Sequence, residues 1–534
     1  MLELQSSLLQ RNLFKILIDA HEVFPREARN HILARTWCRF SNAREAESSE
    51  HIAIVTRDRL GFCASRLLRC SAMSAEAQDQ LPSTAIPQQS EPLDIAKREA
   101  GLHKRLSQRQ VAMIGLGCTI GTGLFLGSAI SVKLAGPAVL LSFAAGAVIA
   151  LTVMWALAEM AVEHPAAGSF GLYAEMYLHP WAGFAVRYTY WLCLVMVVGS
   201  EVVAAAIYCE FWFPSAPAWI WIAGFSTLLI LVNTLSIENF GSIEYWFAMI
   251  KVVTIVAFLI LGAMLLFGLG FPRIGLTHFT AHGGFSPHGW RGVGLGVVMA
   301  IFSYLGLEIV GVTAGEAADP KKAVPRALRR TLGYLALFYL GGLALVVGIV
   351  PWTEIGLGES PFVRVFERVG IPAASHVMNF VVLSAALSSA LCNLYFTARM
   401  LFSPVPAVLA SSLGMALALV LAQIFQRTAF VFLIGVAFFG GPFIWLMTLA
   451  THIAFRLRIV KENRTIARIA PLGIWSSIFG ILALLAVLVS TWWIPDFHVA
   501  LLSGPPWLVF LTVCYFIWRK FQPPKSAAGA APHG

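Results

Sequence analysis

Charge is scarce in this chain. Asp, Glu, Lys and Arg make up 12% of its 534 residues, against 58% hydrophobic and a mean hydropathy of +0.74, where a soluble chain of this size carries roughly a quarter charged. That shortage excludes a soluble globular protein and places the chain in a membrane. Alternation of period two is missing as well: the apolar residues run in long stretches, which excludes an outer-membrane barrel and calls for a helical bundle. The eight cysteines include no CxxC pair and no zinc-ligand spacing, so no metal or cofactor is expected. Cys118, Cys193, Cys209, Cys392 and Cys514 sit inside apolar runs and read as small buried hydrophobes. HExxH, GxSxG and paired carboxylates with acid/base spacing are absent too, so nothing supports a membrane-embedded enzyme.

The formal net charge of +10 raises the possibility of a nucleic-acid partner, and its placement removes it. Arg and Lys gather beside the apolar runs, at Lys97 to Arg109, Lys321 to Arg330, Arg456 to Arg468 and Arg519 to Lys525. Such clusters mark cytoplasmic loops. With both termini in the cytoplasm, about nineteen Lys and Arg flank the spans inside and about six outside, the bias that sets orientation.

Residues 1–95 are polar, contain no stretch near the length of a span and lack the apolar core of a secretory signal. Met73 to Pro92, rich in Ser, Gln, Ala and Pro, reads as disordered tail. Met73 is the expected start, with a functionless extension upstream; a small cytoplasmic domain is the alternative. Hydropathy then gives about twelve spans: 111–134, 138–160, 183–209, 217–235, 246–269, 293–316, 332–350, 376–402, 406–425, 429–455, 471–492 and 500–518.

Two spans differ from the rest. The first contains Gly115-Leu-Gly117-Cys-Thr119-Ile-Gly121-Thr122-Gly123, too rich in glycine and β-branched residues for an unbroken helix. The sixth contains Phe302-Ser303-Tyr304-Leu305-Gly306-Leu-Glu308, followed by Gly311 and Gly315. Interruptions five spans apart and of opposite orientation point to an inverted-repeat transporter with its site near the midplane. Close packing through GxxxG, at Gly117/Gly121 and Gly123/Gly127, is the alternative for the first cluster taken alone.

Ionisable residues within spans are costly and are functional candidates by default. They are Glu201 in span three, Lys251 in span five, and Glu308 and Glu316 in span six. Glu159 and Arg399, near span ends, read as snorkelling groups. Desolvation makes a buried lysine release its proton readily, so Lys251 suits proton coupling. Glu308 either attracts a substrate ammonium or holds the broken helix by accepting backbone hydrogen bonds. Glu316 reads as a cap or gate, and Glu201 as a proton-coupling or gating group that would favour a basic side chain unless it lies above the site.

The sequence resembles bacterial amino acid permeases of the amino acid, polyamine and organocation transporter superfamily, in the branch of γ-aminobutyrate, aromatic and basic amino acid permeases. The resemblance runs from Lys104 to Lys520. It rests on Ile114 to Gly127, Glu159-Met-Ala, His164 to Phe170 with Tyr173-Ala-Glu175, Ile250-Lys-Val252, Gly311 to Glu316 through Val324-Pro325, and Leu387-Ser-Ser with Leu394-Tyr and Ala398-Arg-Met400. It implies an all-α, LeuT-like fold of five-plus-five inverted repeats, 104–269 and 293–455, with helices 1 and 6 unwound at the midplane. Two accessory spans at 471–520 and a cytoplasmic tail at 521–534 would complete it. It further implies proton symport of an amino acid by alternating access across the bacterial inner membrane, the partners being substrate, proton and lipid.

By the same resemblance, amides matching Thr122 and Gly123 hold the substrate carboxylate, with Gly121 allowing close approach. Carbonyls matching Thr119, Phe302 and Leu305 hold the ammonium. Lys251 matches a coupling lysine, Glu308 and Glu316 match paired glutamates of binding and coupling, and Phe302 and Tyr304 match an aromatic wall. Exchange without net proton flow, or sensing through the tail, are the alternatives. The chain departs from the family after Ser403, where a connection of about twenty residues is lost into a Pro404-Val-Pro406 turn. It also departs at Cys392-Asn393, where relatives carry small residues; Asn393 there reads as an interhelical hydrogen-bonding group more than as a substrate contact. The oligomeric state is not legible, because lipid-facing and protein-facing apolar surfaces look alike in sequence.

Overall fold

A break inside a membrane helix survives only where neighbouring groups take up the backbone it frees, and two such breaks organise this molecule. The computed structural model describes residues 108–164, 169–235, 240–269, 274–312, 320–370, 372–400, 404–425, 428–466 and 469–521. The N-terminal extension, Glu316, residues 401–403 and the tail beyond 521 lie outside them. Among the described residues every regular element is helical.

The first span comprises α1 (Gln108–Thr119), a π-helical turn (Gly123–Gly127) and α2 (Ser128–Ala135). Gly136, at φ 61°, turns the chain into α3 (Val139–Glu163). Next come α4 (Ser169–Tyr177), α5 (Pro180–Glu210), α6 (Ala218–Leu235) and α7 (Phe240–Phe267). The second broken span is α8 (Gly289–Tyr304) followed by the single turn α9 (Ile309–Val312). It leads to α10 (Pro320–Ile349), α11 (Pro361–Arg368), α12 (Pro372–Met400), α13 (Pro404–Ser411), α14 (Leu413–Phe425), α15 (Ala429–Lys461), α16 (Ile474–Ser490) and α17 (His498–Phe521).

Eight of the described helical stretches are long and apolar enough to cross a membrane. One of them, Gly115–Glu163, takes in both the first and second expected spans. The fourth and ninth correspond to the shorter apolar helices 218–234 and 408–424, and the sixth is divided by its break. The chain is a multi-pass membrane protein.

Burial grades from centre to rim. The apolar core of α5 is 89% buried, that of α15 67% and that of α17 22%. α5 packs on α15, α12, α14, α6 and α4, while Trp475, Phe510, Phe516 and other large side chains of α16 and α17 stay exposed on what becomes the lipid face. At the C-terminal end of α3, Glu159 is buried rather than snorkelling. It accepts from Arg456 Nη2 at 2.6 Å, lies 3.2 Å from His452 Nε2, and accepts the Ile469 and Ala470 amides at 3.1 Å each. That expectation is corrected: the carboxylate ties α3 to α15 and to the segment before α16. The side chain of Arg399 lies outside the described part of α12.

The breaks touch. Gly306 adopts φ 97°, open to glycine and costly for other residues. A Cβ there would meet the Cys118 carbonyl oxygen at 3.3 Å and Thr119 Cα at 3.4 Å. Gly306→Ala is therefore expected to destabilise the protein by about 1–3 kcal/mol, read as a lower thermal unfolding midpoint in detergent. Gly294→Ala, inside α8 with open space beside it, should leave the midpoint in place. Equal midpoints for the two variants would refute a strained break.

Candidate functional site

The two breaks enclose a cavity with about 30 Å³ of free space, lined by Thr119, Gly121, Gly123, Phe302, Leu305 and Glu308 of the broken spans. Glu201, Tyr190, Leu194 and Val197 of α5 and Ser389 and Asn393 of α12 close it. This is room for about one water.

On the first span, the helix ends at Thr119 and restarts at Thr122. The freed Thr122 N–H donates to Glu201 at 3.2 Å and 3.3 Å, one distance to each carboxylate oxygen. Ser389 Oγ donates to Glu201 Oε1 at 2.9 Å. Gly121 is needed here because a Cβ would collide with that carboxylate and with Ser389. The Thr119 carbonyl accepts from Tyr339 Oη at 3.2 Å, and the same hydroxyl reaches the Ser303 carbonyl at 2.8 Å, bridging the two broken spans.

On the sixth span, Glu308 makes the backbone hydrogen bonds of one of the two readings that the sequence left open. Its carboxylate accepts from the Gly306 N–H at 3.1 and 3.2 Å, from Tyr190 Oη at 3.2 Å and from Trp445 Nε1 at 3.2 Å. A buried carboxylate with that many donors holds the break open, while still lining the cavity.

Lys251 is fully buried and donates to the Gly117 carbonyl at 2.6 Å, behind the break rather than in the cavity. Seven residues before it on α7, Glu244 is equally buried and accepts from Ser388 Oγ at 3.0 Å. Its carboxylate fills the space a side chain at Gly117 would need. Sequence reading missed Glu244 because it precedes the hydropathy boundary of span five. The signal was the i, i+7 spacing from Lys251, which puts both on one helix face.

Tyr304 is not part of the cavity wall. Its hydroxyl donates to the Phe143 carbonyl at 3.3 Å and its ring packs on Tyr339 and Phe143. Phe302, two residues earlier, does face the cavity. Asn393 lines it as well, donating within its own helix to Ser389 at 3.3 Å instead of across helices. Cys118 and Cys392 stand side by side, with Cα atoms 5.6 Å apart, inside the range a disulfide can span. Both are buried, as read from the sequence, but they adjoin each other across two helices; Cys193 and Cys209 are buried as free thiols.

A second cavity, of about 280 Å³, opens at the end of α5 among Tyr208, Glu210, Glu359 and Asn379. Outside the spans, burial and the neighbouring Glu367 push the Glu359 carboxyl up to about 7, with Arg364 opposing. Because the folded state holds this proton more tightly than the unfolded chain, the stability it contributes is lost as pH rises through about 7.

Comparison with known proteins bears on this geometry. The family described as "Amino acid permease" matches residues 110–403 and 403–528, the match dividing at Ser403. The uncharacterized amino acid permease YtnA of Bacillus subtilis is 36% identical over 460 residues, 82% of this chain and 99% of the relative. The γ-aminobutyric acid permease of the same organism is 34% identical over 80% of this chain and 96% of its own. The aromatic amino acid transport protein AroP of Escherichia coli K12 is 35% identical over 78% and 96%. Among solved structures, MhsT in complex with L-phenylalanine superposes with a TM-score of 0.53 at 17% identity, over 73% of this chain and all of that one. A mutant manganese transporter of Eremococcus coleocola superposes at 0.52 and 12%, over 83% and 99%. These two likenesses establish the LeuT-type fold.

Two outcomes test the site. Glu308→Ala strands the Gly306, Tyr190 and Trp445 donors at about 1–3 kcal/mol for each group left unsatisfied. It should lower the thermal midpoint well below that of Glu308→Gln, which keeps an acceptor. Peptide mapping after alkylation without reductant should recover Cys118 and Cys392 on linked peptides, and separately alkylated peptides would show that the bridge is absent.

Proposed function

The chain belongs to the amino acid permease family, and from that premise we propose that it imports an uncharged amino acid together with a proton by alternating access. One observation carries the reading: two helix breaks in contact at a cavity whose polar groups include backbone amides, backbone carbonyls and buried carboxylates. Such a site accommodates a zwitterion, because a helix restart favours an anion and freed carbonyls favour a cation. The substrates for which these relatives are named, γ-aminobutyrate and aromatic amino acids, carry both groups.

Beyond the breaks the cavity is walled by Leu194, Val197, Phe302 and Leu305, which suits an apolar or aromatic side chain. Glu201, read from sequence as a possible partner for a basic side chain, is engaged by Thr122 and Ser389. Lys251 is the group through which coupling acts. Its ammonium grips the Gly117 carbonyl on the broken helix, so loss of its proton weakens that grip and frees α1 to move. We place the protein in the bacterial cytoplasmic membrane with both termini inside, following the Lys/Arg bias, and assign residues 104–269 and 293–455 as the two repeats.

Proteoliposomes offered L-phenylalanine, L-tyrosine, γ-aminobutyrate and L-arginine, with and without an inward proton gradient, test the reading. The native protein should accumulate an uncharged substrate only with the gradient, and Lys251→Ala should lose at least tenfold of that accumulation. Counterflow that ignores the gradient would make it an exchanger, and absence of all transport would overturn the proposal.

A further inference from the structure

The amide expected to receive the substrate carboxylate is already occupied by one of the protein's own. We infer that Glu201 is a built-in stand-in for that carboxylate, and that substrate takes its place only when Glu201 takes up a proton and turns out of the cradle. This rests on the zwitterion site proposed above and adds where the substrate-linked proton resides.

Three observations converge. Both oxygens of Glu201 lie within hydrogen-bond distance of the single Thr122 N–H, which leaves that donor no room for a second anion. Ser389 and the bare Cα of Gly121 shape the cradle around this carboxylate. The cavity as it stands has about 30 Å³ free, room for about one water, so an amino acid must displace something.

Charge decides how displacement happens. Around Glu201 stand Lys251 on α7, with Glu244 beside that lysine, Tyr339 on α10, Ser389 and Asn393 on α12, Tyr208 on its own helix, and Glu308 with Tyr190 across the cavity. That set holds three buried carboxylates, counting Glu201, and one ammonium. A fourth carboxylate arriving with substrate would leave two like charges competing for one donor in a desolvated site, an arrangement that forces one of them to protonate. With one proton bound to Glu201 per substrate, the site keeps its anion count and gains only the substrate ammonium. Lys251 remains the cation that grips α1. The 280 Å³ cavity reaches Tyr208, two helical turns along α5 from Glu201, and the buried Tyr208 hydroxyl makes no hydrogen bond among the described residues.

The test is equilibrium binding to the full-length protein in nanodiscs between pH 5 and 8, where the ligands' own charges stay constant. The probes are L-phenylalanine against phenethylamine, and γ-aminobutyrate against n-propylamine, each pair differing by the carboxylate. In the native protein the dissociation constant of the carboxylate-bearing ligand should rise toward about tenfold per pH unit once Glu201 ionises, while that of the amine stays flat. Glu201→Gln should bind the amino acid with no pH slope. A slope retained in Glu201→Gln, or the same slope for both members of a pair, overturns the inference. If that variant does not fold, the paired ligands on the native protein decide alone. Failure of both amino acids to bind at any pH instead overturns the amino acid reading itself, which distinguishes the two failures.

Discussion

Everything at the centre of this protein follows from the cost of a backbone group with no partner in hydrocarbon, several kcal/mol for each one left bare. Breaking a helix twice near the same depth frees amides and carbonyls that must be satisfied from elsewhere. The structure supplies Glu201 for the Thr122 amide, Glu308 for the Gly306 amide, Tyr339 for the Thr119 and Ser303 carbonyls, and Lys251 for the Gly117 carbonyl. Each is a long polar side chain on an otherwise apolar helix. The charges that looked anomalous in the spans are therefore the complement of the breaks, and a solute that offers an anion and a cation can substitute for some of them.

Much of this was legible before any coordinates. Glycine clusters five spans apart located the breaks, and the rarity of charge singled out Lys251, Glu201 and Glu308, because in lipid every ionisable group needs a reason. What escaped were matters of partner and direction. Tyr304 and Phe302 differ by two positions, about 200° around a helix, and sequence cannot tell which ring faces the cavity and which faces α3. Glu244 was hidden by a window method that sees length and apolarity but not the face of a helix. The approach of Cys118 to Cys392 brings together residues 274 apart, a proximity that no spacing rule reaches. Glu316 lies outside the described residues, so its role stays where sequence left it.

The glycines of the first span show why motif logic and packing logic are one argument here. Gly123 brings α8 close, with a Cβ placed only 3.0 Å from Ser303 Cα, whereas Gly117 and Gly121 make room for the carboxylates of Glu244 and Glu201. A GxxxG reading was right that small residues permit close approach, yet at Gly117 and Gly121 what approaches is a charged group from a third helix.

The burial gradient has a consequence for how the chain can change. α5 touches protein on nearly every side while α17 leaves most of its surface to lipid. Lipid accepts almost any apolar side chain of similar bulk, so the outer helices are free to drift in sequence without loss. A protein neighbour accepts few replacements, and sequence identity between distant members should concentrate along α5 and the broken spans, so the innermost helices carry the oldest record of the family and the outermost the most recent.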